Sequence, residues 1–597
     1  MSVKTLIDDP DTMTEHTPGL PAPKAAAWRR AIERHLHLQS PLLSLPAVAV
    51  ILVGVVLPIG VLVVYSLWPT VDQQVVHEWT LDNYARFFTD DNYWMSLVRS
   101  FLFVGLAAAL TVGLTFPFAY YVATKVRPPR RLLWVLLAVL PFFTSYLIRV
   151  FVWLNLLGDS GILNQLLIDA GLTESPLAIL GSNKSGIVIT FIYMLFPLAF
   201  LTSYIAIERM NPAILEAAAD LGARPWRRWV RITLPIARTG LIAGFVFSFI
   251  TMLGDYVTPQ LIGGTEGYLY SNLITNQFGA SVQWGFGSAL AMILMFAVFA
   301  MLVLMRVLGG GSQSVGAYTR AYTPARAPVL AGYSGLFMFF LYAPIGLLVA
   351  LSFNSSPTIG FPFTGFTTKW FAQVFADDLL VSGLKTSLQV AAVSVGVSVV
   401  IGTIAAVQLA RSKGRWRALS IGAIALPLFL PPMLLALAII IGLNAMGVDR
   451  GLWTIIVGHI VLTLPIVTLM VLIRLEGLDP NLELAALDLG ATPFRALVRI
   501  SIPQALPGIV AAALVAFATS MDEFILTSLV TGSDTTLPLY IFGQLRFSVT
   551  PEIVALSTML LVTSALLLVI GCVIGFIGRR KDGAAGAADM LSLAPTA

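Results

Sequence analysis

Charge and cysteine are scarce in this chain. Only 11% of its 597 residues are charged, and it has a single cysteine, Cys572. Soluble domains carry about a quarter charged residues, so the composition excludes an ordinary soluble fold. One cysteine excludes an intrachain disulfide, a cysteine metal cluster and a dithiol redox pair. With 57% hydrophobic residues, the chain is predicted to be an integral membrane protein.

Motifs for nucleotide binding and hydrolysis are also missing. The sequence has no Gly-x-x-x-x-Gly-Lys-Ser/Thr run, whose backbone amides would cradle phosphates. It has no His-Glu-x-x-His pair and no nucleophile elbow. We therefore predict that the chain is not an enzyme, has no catalytic residues, and binds no metal and no cofactor of its own.

Long apolar runs are abundant instead. A transmembrane helix needs about 20 apolar residues. Twelve stretches are predicted to span the membrane, six on each side of a Gly/Ser-rich joint. They are 42–68, 98–123, 132–157, 187–206, 240–262, 286–308, 329–353, 384–410, 417–445, 453–474, 507–531 and 553–577. The predicted fold is an all-α integral membrane protein built from two parallel six-helix repeats, with a pseudo-two-fold axis along the membrane normal.

The predicted organisation has five segments. They are a cytoplasmic N-terminal extension (1–40), a first half (41–309), a cytoplasmic linker (310–327), a second half (328–580) and a flexible cytoplasmic tail (581–597). Residues 1–40 lack the order of a secretory signal, because acids and prolines precede the basic cluster and the first apolar run is long. That run is therefore predicted to be an uncleaved spanning helix.

Basic residues concentrate in alternate loops, which predicts the orientation. The basic loops contain Lys125, Arg127, Arg130, Arg131, Arg224, Arg227, Arg228, Arg231, Arg306, Arg320, Arg326, Arg411, Lys413, Arg415, Arg417, Arg495, Arg499, Arg579, Arg580 and Lys581. The other loops are acidic or sparse. The net charge of +5 is spread over these short loops, so we do not expect a nucleic-acid partner. Both termini are predicted to be cytoplasmic, in the inner membrane of a bacterium.

Two stretches about 270 residues apart are near-copies of one loop sequence. The first, from Leu215 to Pro225, reads Leu-Glu-Ala-Ala-Ala-Asp-Leu-Gly-Ala-Arg-Pro. The second, from Glu483 to Pro493, reads Glu-Leu-Ala-Ala-Leu-Asp-Leu-Gly-Ala-Thr-Pro. A short helix is favoured in each, stopped by the glycine. One copy would suit an interfacial amphipathic helix. Two copies indicate two docking points for a soluble partner.

These loops resemble the EAA motif of permease subunits in binding-protein-dependent ABC importers. In that family the loop forms a coupling helix inserted into a cleft of a cytoplasmic ATPase. The register differs in the second copy, where Leu484 takes the place of Glu216 and Glu483 precedes it. The residues that match the motif or its flanks are Glu216, Ala217, Asp220, Gly222, Pro225, Arg231, Glu483, Ala485, Asp488, Gly490, Pro493 and Arg499.

The finer resemblance is to the spermidine/putrescine class, with two permease subunits joined in one chain. It is carried by the stretches 140–149 and 254–259 in the first half, and by 520–524, 536–538 and 550–553 in the second. The resemblance implies two copies of a cytoplasmic ABC ATPase that bind ATP and Mg, and an extracytoplasmic solute-binding protein. The alternatives are an importer for another solute (ferric iron, an opine or an aminophosphonate) and an ion-coupled secondary transporter.

Ionisable residues inside the spans are the candidates for the substrate pathway, because a charge within the bilayer is costly unless it faces a cavity or a partner. Asp255 and Glu523 occupy equivalent places in the two halves, and Asp522 adds a third carboxylate. The nearest aromatic candidates are Tyr256, Trp284 and Phe524.

Each of these candidates has a structural alternative. The acids could lie at the outer interface or pair with Arg149, which we predict to hold the bundle or a gate shut. His459, the one histidine inside a predicted span, is predicted to be a hydrogen-bonded packing residue.

Overall fold

The computed structural model describes residues 41–264, 267–309, 327–357, 359, 363–547, 550–563 and 565–566. The predicted N-terminal extension (1–40), almost all of the linker (310–327) and the tail (581–597) lie outside the described residues. Nearly all regular structure in the described part is helical. The exception, which the sequence analysis did not predict, is a small hairpin of β1 (Thr70–Val71) and β2 (Gln74–Val75).

Within the described residues and apart from short 3-10 turns, the first half contains twelve helices. They are α1 (Leu45–Ser66), α2 (Asp82–Thr89), α3 (Asp91–Lys125), α4 (Pro128–Val139), α5 (Tyr146–Leu156), α6 (Ile162–Asp169), α7 (Lys184–Glu208), α8 (Pro212–Asp220), α9 (Pro225–Gly254), α10 (Val257–Ile262), α11 (Tyr270–Phe278) and α12 (Trp284–Gly309).

The second half repeats this order with eleven helices in the described residues. They are α13 (Pro328–Ser352), α14 (Lys369–Val374), α15 (Asp378–Arg411), α16 (Arg415–Ala425), α17 (Pro432–Ala445), α18 (Leu452–Glu476), α19 (Pro480–Asp488), α20 (Pro493–Asp522), α21 (Ile525–Val530), α22 (Leu537–Phe547) and α23 (Pro551–Thr563).

Nine helices of the described residues are long and apolar enough to cross a membrane, and two bent pairs bring the number of spans to eleven. The nine are α1, α3, α7, α9, α12, α13, α15, α18 and α20. The twelfth predicted span, 553–577, is described only in part, as α23. The all-α membrane fold predicted from the sequence is confirmed.

Four of the predicted spans are interrupted in the structure, which the sequence analysis did not predict. The stretch 132–157 bends by 83° before α5, and 417–445 bends by 100° before α17. Prolines lie at both bends, where they remove backbone donors and disfavour continued helix. The stretches 240–262 and 507–531 break just after Gly254 and Asp522. We call these two interruptions the first and second breaks.

Helices α9 and α20 also begin well before their predicted starts. Each has 30 residues and opens with one α-helical turn followed by a short π-helical turn, Trp229–Thr233 in the first half and Leu497–Ser501 in the second. These first turns carry arginines and polar residues, so a search for apolar runs misses them. Their early starts join each repeated loop directly to a helix that ends at a break.

The first span of each half packs against the other half. Ala47, Ile51 and Val55 of α1 belong to a buried core formed otherwise by α15–α18, α20 and α21 of the second half. In return, Phe337 of α13 stacks on Phe196 of the first half, with ring centroids 4.7 Å apart. Tyr342 of the same helix donates a hydrogen bond of 2.8 Å to the carbonyl of Leu137. The halves therefore exchange their first helices.

This exchange predicts that a covalent link between the halves is dispensable. Two fragments made by cutting within 310–326 and expressed together should co-purify through a tag on one of them, because α1 and α13 still pack closely against helices of the other half and Tyr342 still bonds Leu137. A second fragment that also lacks α13 should lose most of this association. Equal recovery of both second fragments would contradict the prediction.

Candidate functional site

The two repeated loops fold identically. In each, a nine-residue helix begins at a proline, Pro212 in α8 and Pro480 in α19. The side chains of Asn211 and Asp479 cap these helices by accepting a hydrogen bond of 3.0 Å from a backbone N–H two residues on. The predicted helix between Pro212 and Pro225 is confirmed.

Glycine ends both short helices, as predicted. Gly222 has φ +78° and Gly490 has φ +86°, a left-handed conformation that glycine adopts without strain. The following residues close a Schellman motif, because the N–H of Ala223 bonds the carbonyl of Ala218 at 2.9 Å and Ala491 bonds Ala486 at 3.0 Å. A Cβ at either glycine would meet nothing within 4 Å. The turns are therefore fully exposed.

Each loop exposes a matching pair of large apolar side chains. Leu221 is 88% exposed and its counterpart Leu489 is 90% exposed. Just beyond the turn, Trp226 is 67% exposed and Phe494 is 68% exposed. Such exposure at the same register of both loops is a feature of docking surfaces. We call the first set the α8 face (Leu221, Gly222 and Trp226) and the second the α19 face (Leu489, Gly490 and Phe494).

Most residues singled out for coupling lie around these faces. Those with exposed side chains are Glu216, Ala217, Asp220, Pro225, Arg231, Ala485, Asp488 and Arg499, and Pro493 is half-buried. Glu483 is bound within its own half instead. Both of its carboxylate oxygens lie 2.8 Å from Arg411, and Ser501 donates to it at 2.9 Å.

The residue of the first loop that corresponds to Glu483 is Leu215. Its side chain is buried and cannot form an ion pair. The polar side chains of the second loop line a cavity of about 140 Å³. Its lining residues are Ala410, Arg411, Leu475, Leu478, Asp479, Glu483, Ile500, Ser501 and Gln504. The two loops thus present similar outer faces but are attached to their halves by different chemistry.

The breaks and bends of the two halves meet one another. The bend before α5 contacts the second break, because the N–H of Tyr146 donates to Asp522 Oδ1 at 2.5 Å. The bend before α17 contacts the first break, since a Cβ on Gly254 would fall 2.9 Å from Cβ of Pro431. The two breaks are also joined directly, through Tyr256 Oη and Ser528 Oγ, 3.1 Å apart.

Asp255 is a fully bonded carboxylate. Its Oδ1 accepts from the backbone N–H groups of Val257 and Thr258 at 2.8 and 3.0 Å, so it caps α10. The same oxygen accepts from Tyr146 Oη at 2.6 Å, and Oδ2 accepts from Thr258 Oγ1 at 2.5 Å. With 4% of its surface exposed, Asp255 holds the first break together.

Asp522 pairs with Arg149 across the junction of the halves. Arg149 Nη2 lies 3.6 Å from Asp522 Oδ2, and Nη1 donates to the carbonyl of Met194 at 3.4 Å. The arginine side chain is 6% exposed and that of Asp522 is 27% exposed. Of the three carboxylates, Asp522 is therefore the one that pairs with Arg149, as the structural alternative proposed.

Tyr146 is the residue of this site that the sequence analysis missed. It contacts Asp522 through its backbone and Asp255 through its hydroxyl, so one residue connects both carboxylates. It lies inside the stretch 140–149 that carries the family resemblance, three residues before Arg149. A tyrosine beside a bend has no signal of its own, because its partners come from distant parts of the chain.

The remaining pathway candidates are dispersed. Glu523 is half-buried and accepts from the backbone N–H of Leu526 at 2.8 Å, which caps α21 as Asp255 caps α10. Phe524 is 2% exposed and packs on Phe542, with ring centroids 4.5 Å apart. Trp284 packs on Phe278 at 5.9 Å, beside the hairpin. Of the three aromatic candidates predicted from the sequence, Tyr256 is the one that joins the two breaks.

The two breaks and the two bends meet at one junction. It contains the carboxyl groups of Asp255, Asp522 and Glu523 and the guanidinium of Arg149. Carboxylates form strong charge-assisted hydrogen bonds with ammonium groups. A buried pair such as Arg149 and Asp522 is costly to break unless another charge replaces one partner. The Arg149–Asp522 pair and the hydrogen bond from Tyr146 to Asp522 therefore hold the two halves together at this junction.

Family and relatives agree with this architecture. Residues 109–305 and 398–582 each match the family described as binding-protein-dependent transport system inner membrane component. The chain belongs to this family, and it is a multi-pass transport permease of the inner membrane that contains the family domain twice.

Three curated relatives each match one half of the chain. The spermidine/putrescine transport system permease protein PotB of Haemophilus influenzae is 36% identical over 215 residues, which cover 36% of this chain and 73% of that protein. The corresponding protein PotC of Escherichia coli is 36% identical over 231 residues, 38% of this chain and 87% of that protein. The putrescine permease PotI of Escherichia coli is 37% identical, covering 37% and 82%.

Proposed function

We propose that this chain forms the translocation pathway of an ATP-driven importer for a small cationic solute, with spermidine or putrescine as the substrate class. The relatives that match its two halves carry polyamine transport in their names. The cluster of Asp255, Asp522 and Glu523 around the breaks supports a cation, because carboxylates pair with ammonium groups. Tyr256, at the junction of the breaks, offers an aromatic ring for the methylene chain or the charge.

The observation that carries the proposal is the pair of matched, exposed loop faces. An importer powered by a dimeric ATPase needs two equivalent docking points, and an ion-coupled carrier needs none. We propose that one ATPase subunit binds the α8 face and a second copy binds the α19 face. Both faces and both termini would then be cytoplasmic, in agreement with the basic residues of these loops. ATP and Mg would be bound by the ATPase alone.

An extracytoplasmic solute-binding protein would deliver the polyamine to the opposite side. ATP-driven closure of the ATPase pair would move the two faces together. Because α9 and α20 run without interruption from the loops to the breaks, this motion would reach the junction of Tyr146, Arg149 and Asp522. Differential affinity of the ATPase for two arrangements of the permease is sufficient to shift their populations.

Reconstitution tests the proposal. The purified chain should hydrolyse no ATP by itself. In liposomes, together with its ATPase and binding protein, it should take up radiolabelled spermidine or putrescine only when ATP is inside the vesicle. Uptake driven by an ion gradient without ATP would contradict the proposal. Uptake of ferric iron, an opine or an aminophosphonate, with no competition by polyamines, would retain the importer and overturn the substrate.

A further inference from the structure

His459 joins the two helices on either side of the second break. Its Nδ1 lies 2.7 Å from Ser520 Oγ, in the last turn of α20. Its Nε2 lies 2.9 Å from Thr527 Oγ1, in α21. Asp522 and Glu523 lie between these two hydroxyl residues in the chain. The imidazole, 2% exposed, therefore spans the segment that carries both carboxylates.

The network fixes which nitrogen carries the proton in the neutral ring. The Thr527 hydroxyl donates its one proton to the carbonyl of Glu523 at 3.0 Å. It must then accept a hydrogen bond from Nε2–H of His459. Nδ1 is left to accept from the hydroxyl of Ser520. Both ring nitrogens are thus satisfied, and the backbone of Glu523 is tied to His459 through one hydroxyl.

Within the described residues, the first half has no such connection. Subtracting 268 from each residue number gives the counterparts in the first half, and Gly254 is the counterpart of Asp522. At the positions of His459, Ser520 and Thr527 the first half has Phe191, Met252 and Pro259. None of these side chains can make the hydrogen bonds seen in the second half.

The first break is braced from α11 instead. Ser271 donates to the carbonyl of Asp255 at 2.9 Å, and Asn272 donates to that of Tyr256 at 2.7 Å. The backbone N–H of Tyr270 donates to Ser100, and that of Leu537 donates to Ser387, so Tyr270 and Leu537 are counterparts. The second half therefore has Pro538 and Leu539 at the positions of Ser271 and Asn272. A proline and a leucine cannot donate from their side chains. In the second half, His459 therefore takes the bracing role that Ser271 and Asn272 have in the first half.

We propose that His459 is a positioning residue that sets the second break and thereby aims Asp522 and Glu523 into the pathway. This proposal depends on the proposed function only for the contact of Asp522 and Glu523 with the solute. The position of the break itself can be measured without any solute.

The first test measures the geometry of the break in the full-length chain in membrane vesicles. Cys572→Ser removes the one native cysteine, and Met521→Cys then places a thiol next to Asp522. His459→Phe, which introduces the residue of the first half, should change the rate of labelling by a cationic methanethiosulfonate reagent by about threefold or more, because two hydrogen bonds across the break are lost. His459→Gln, whose amide can both donate and accept, should restore most of the original rate.

Two controls separate positioning from general loosening of the bundle. Thr251→Cys, at an exposed position in the last turn of α9, is the reporter in the first half, and its labelling should not respond to His459→Phe. Ser398→Ala removes a 2.8 Å contact between α15 and Thr463 of α18, away from the break, and should leave the labelling rate of the Met521→Cys reporter unchanged. An unchanged rate after His459→Phe, or equal changes at both reporters, would overturn the proposal.

The second test is a double-mutant cycle in polyamine uptake. We expect His459→Phe to lower uptake about tenfold in the wild-type background and to have little further effect when Glu523→Gln is already present, because residues that act through one another are not additive. Additive losses would show that His459 acts elsewhere and would overturn the proposal. A wild-type complex that takes up no polyamine would contradict the proposed substrate, while the labelling test would still decide the role of His459.

Discussion

Replacing Gly222 and Gly490 together with aspartate is expected to reduce solute uptake to background while the chain still inserts into the membrane. Both glycines have a left-handed backbone, where a side chain is strained by about 1 kcal/mol or more. The new carboxylates would also stand in the middle of the α8 and α19 faces, beside the exposed Leu221 and Leu489. Uptake and ATP hydrolysis by the reconstituted complex measure the effect.

Gly447 provides a matched control for this pair. It ends α17 with the same Schellman hydrogen bonds and a left-handed backbone, φ +63°, and a Cβ there would meet nothing within 4 Å, but it lies outside the repeated loops. Gly447→Asp should therefore retain most of the uptake. Substituting asparagine at Gly222 and Gly490 separates charge from backbone strain, since asparagine tolerates this conformation. Normal uptake by the double aspartate variant would exclude docking at these faces.

Replacing Arg149 with leucine is expected to destabilise the permease by about 3–5 kcal/mol, because it leaves the Asp522 carboxylate without its buried partner. Adding Asp522→Gly, which introduces the residue found at the equivalent position of the first half, should restore most of the lost stability. The double variant should still fail in uptake if Asp522 contacts the solute. Thermal unfolding of the purified complex measures stability, and vesicle assays measure uptake.

Arg417 offers the comparison with an exposed pair. It contacts Glu476, and both side chains are at least one-third accessible to solvent. Exposed ion pairs contribute about 0–1 kcal/mol, so Arg417→Leu should barely change the unfolding temperature. Similar losses for Arg149→Leu and Arg417→Leu would contradict the special role of the junction.

Local features of the fold were predictable from the sequence. The short helices of the repeated loops, their caps and their glycine stops depend on a few neighbouring residues, so the pattern around Pro212, Gly222 and Gly490 was sufficient. Apolar runs gave the approximate positions of the eleven spans that the described residues contain, if each bent pair is counted as one span. The roles assigned to the loop residues and carboxylates remain predictions.

Features that depend on distant parts of the chain were not predictable. The breaks after Gly254 and Asp522 lie inside apolar runs, and a count of apolar residues cannot separate one helix from two. The side chain of Glu483 faces its own half because it binds Arg411, 72 positions earlier in the chain. Tyr146 and Asp522 are 376 positions apart. A single sequence, taken without an alignment, gives no information on which distant residues are in contact.

The exchanged first helices have a consequence for how the protein is made. At about 5–20 residues per second, the ribosome needs roughly 20–70 seconds to proceed from the end of α1 to the start of α17, its partner. During that interval α12 of the first half is made and can pack on α1, but the side of α1 that meets α17 has no protein partner. α13 follows the first half directly, so the aromatic surface of the first half is covered earlier. Assembly therefore waits longest for the contact of α1 with α17, and a ribosome that stalls before α17 leaves that side of α1 uncovered.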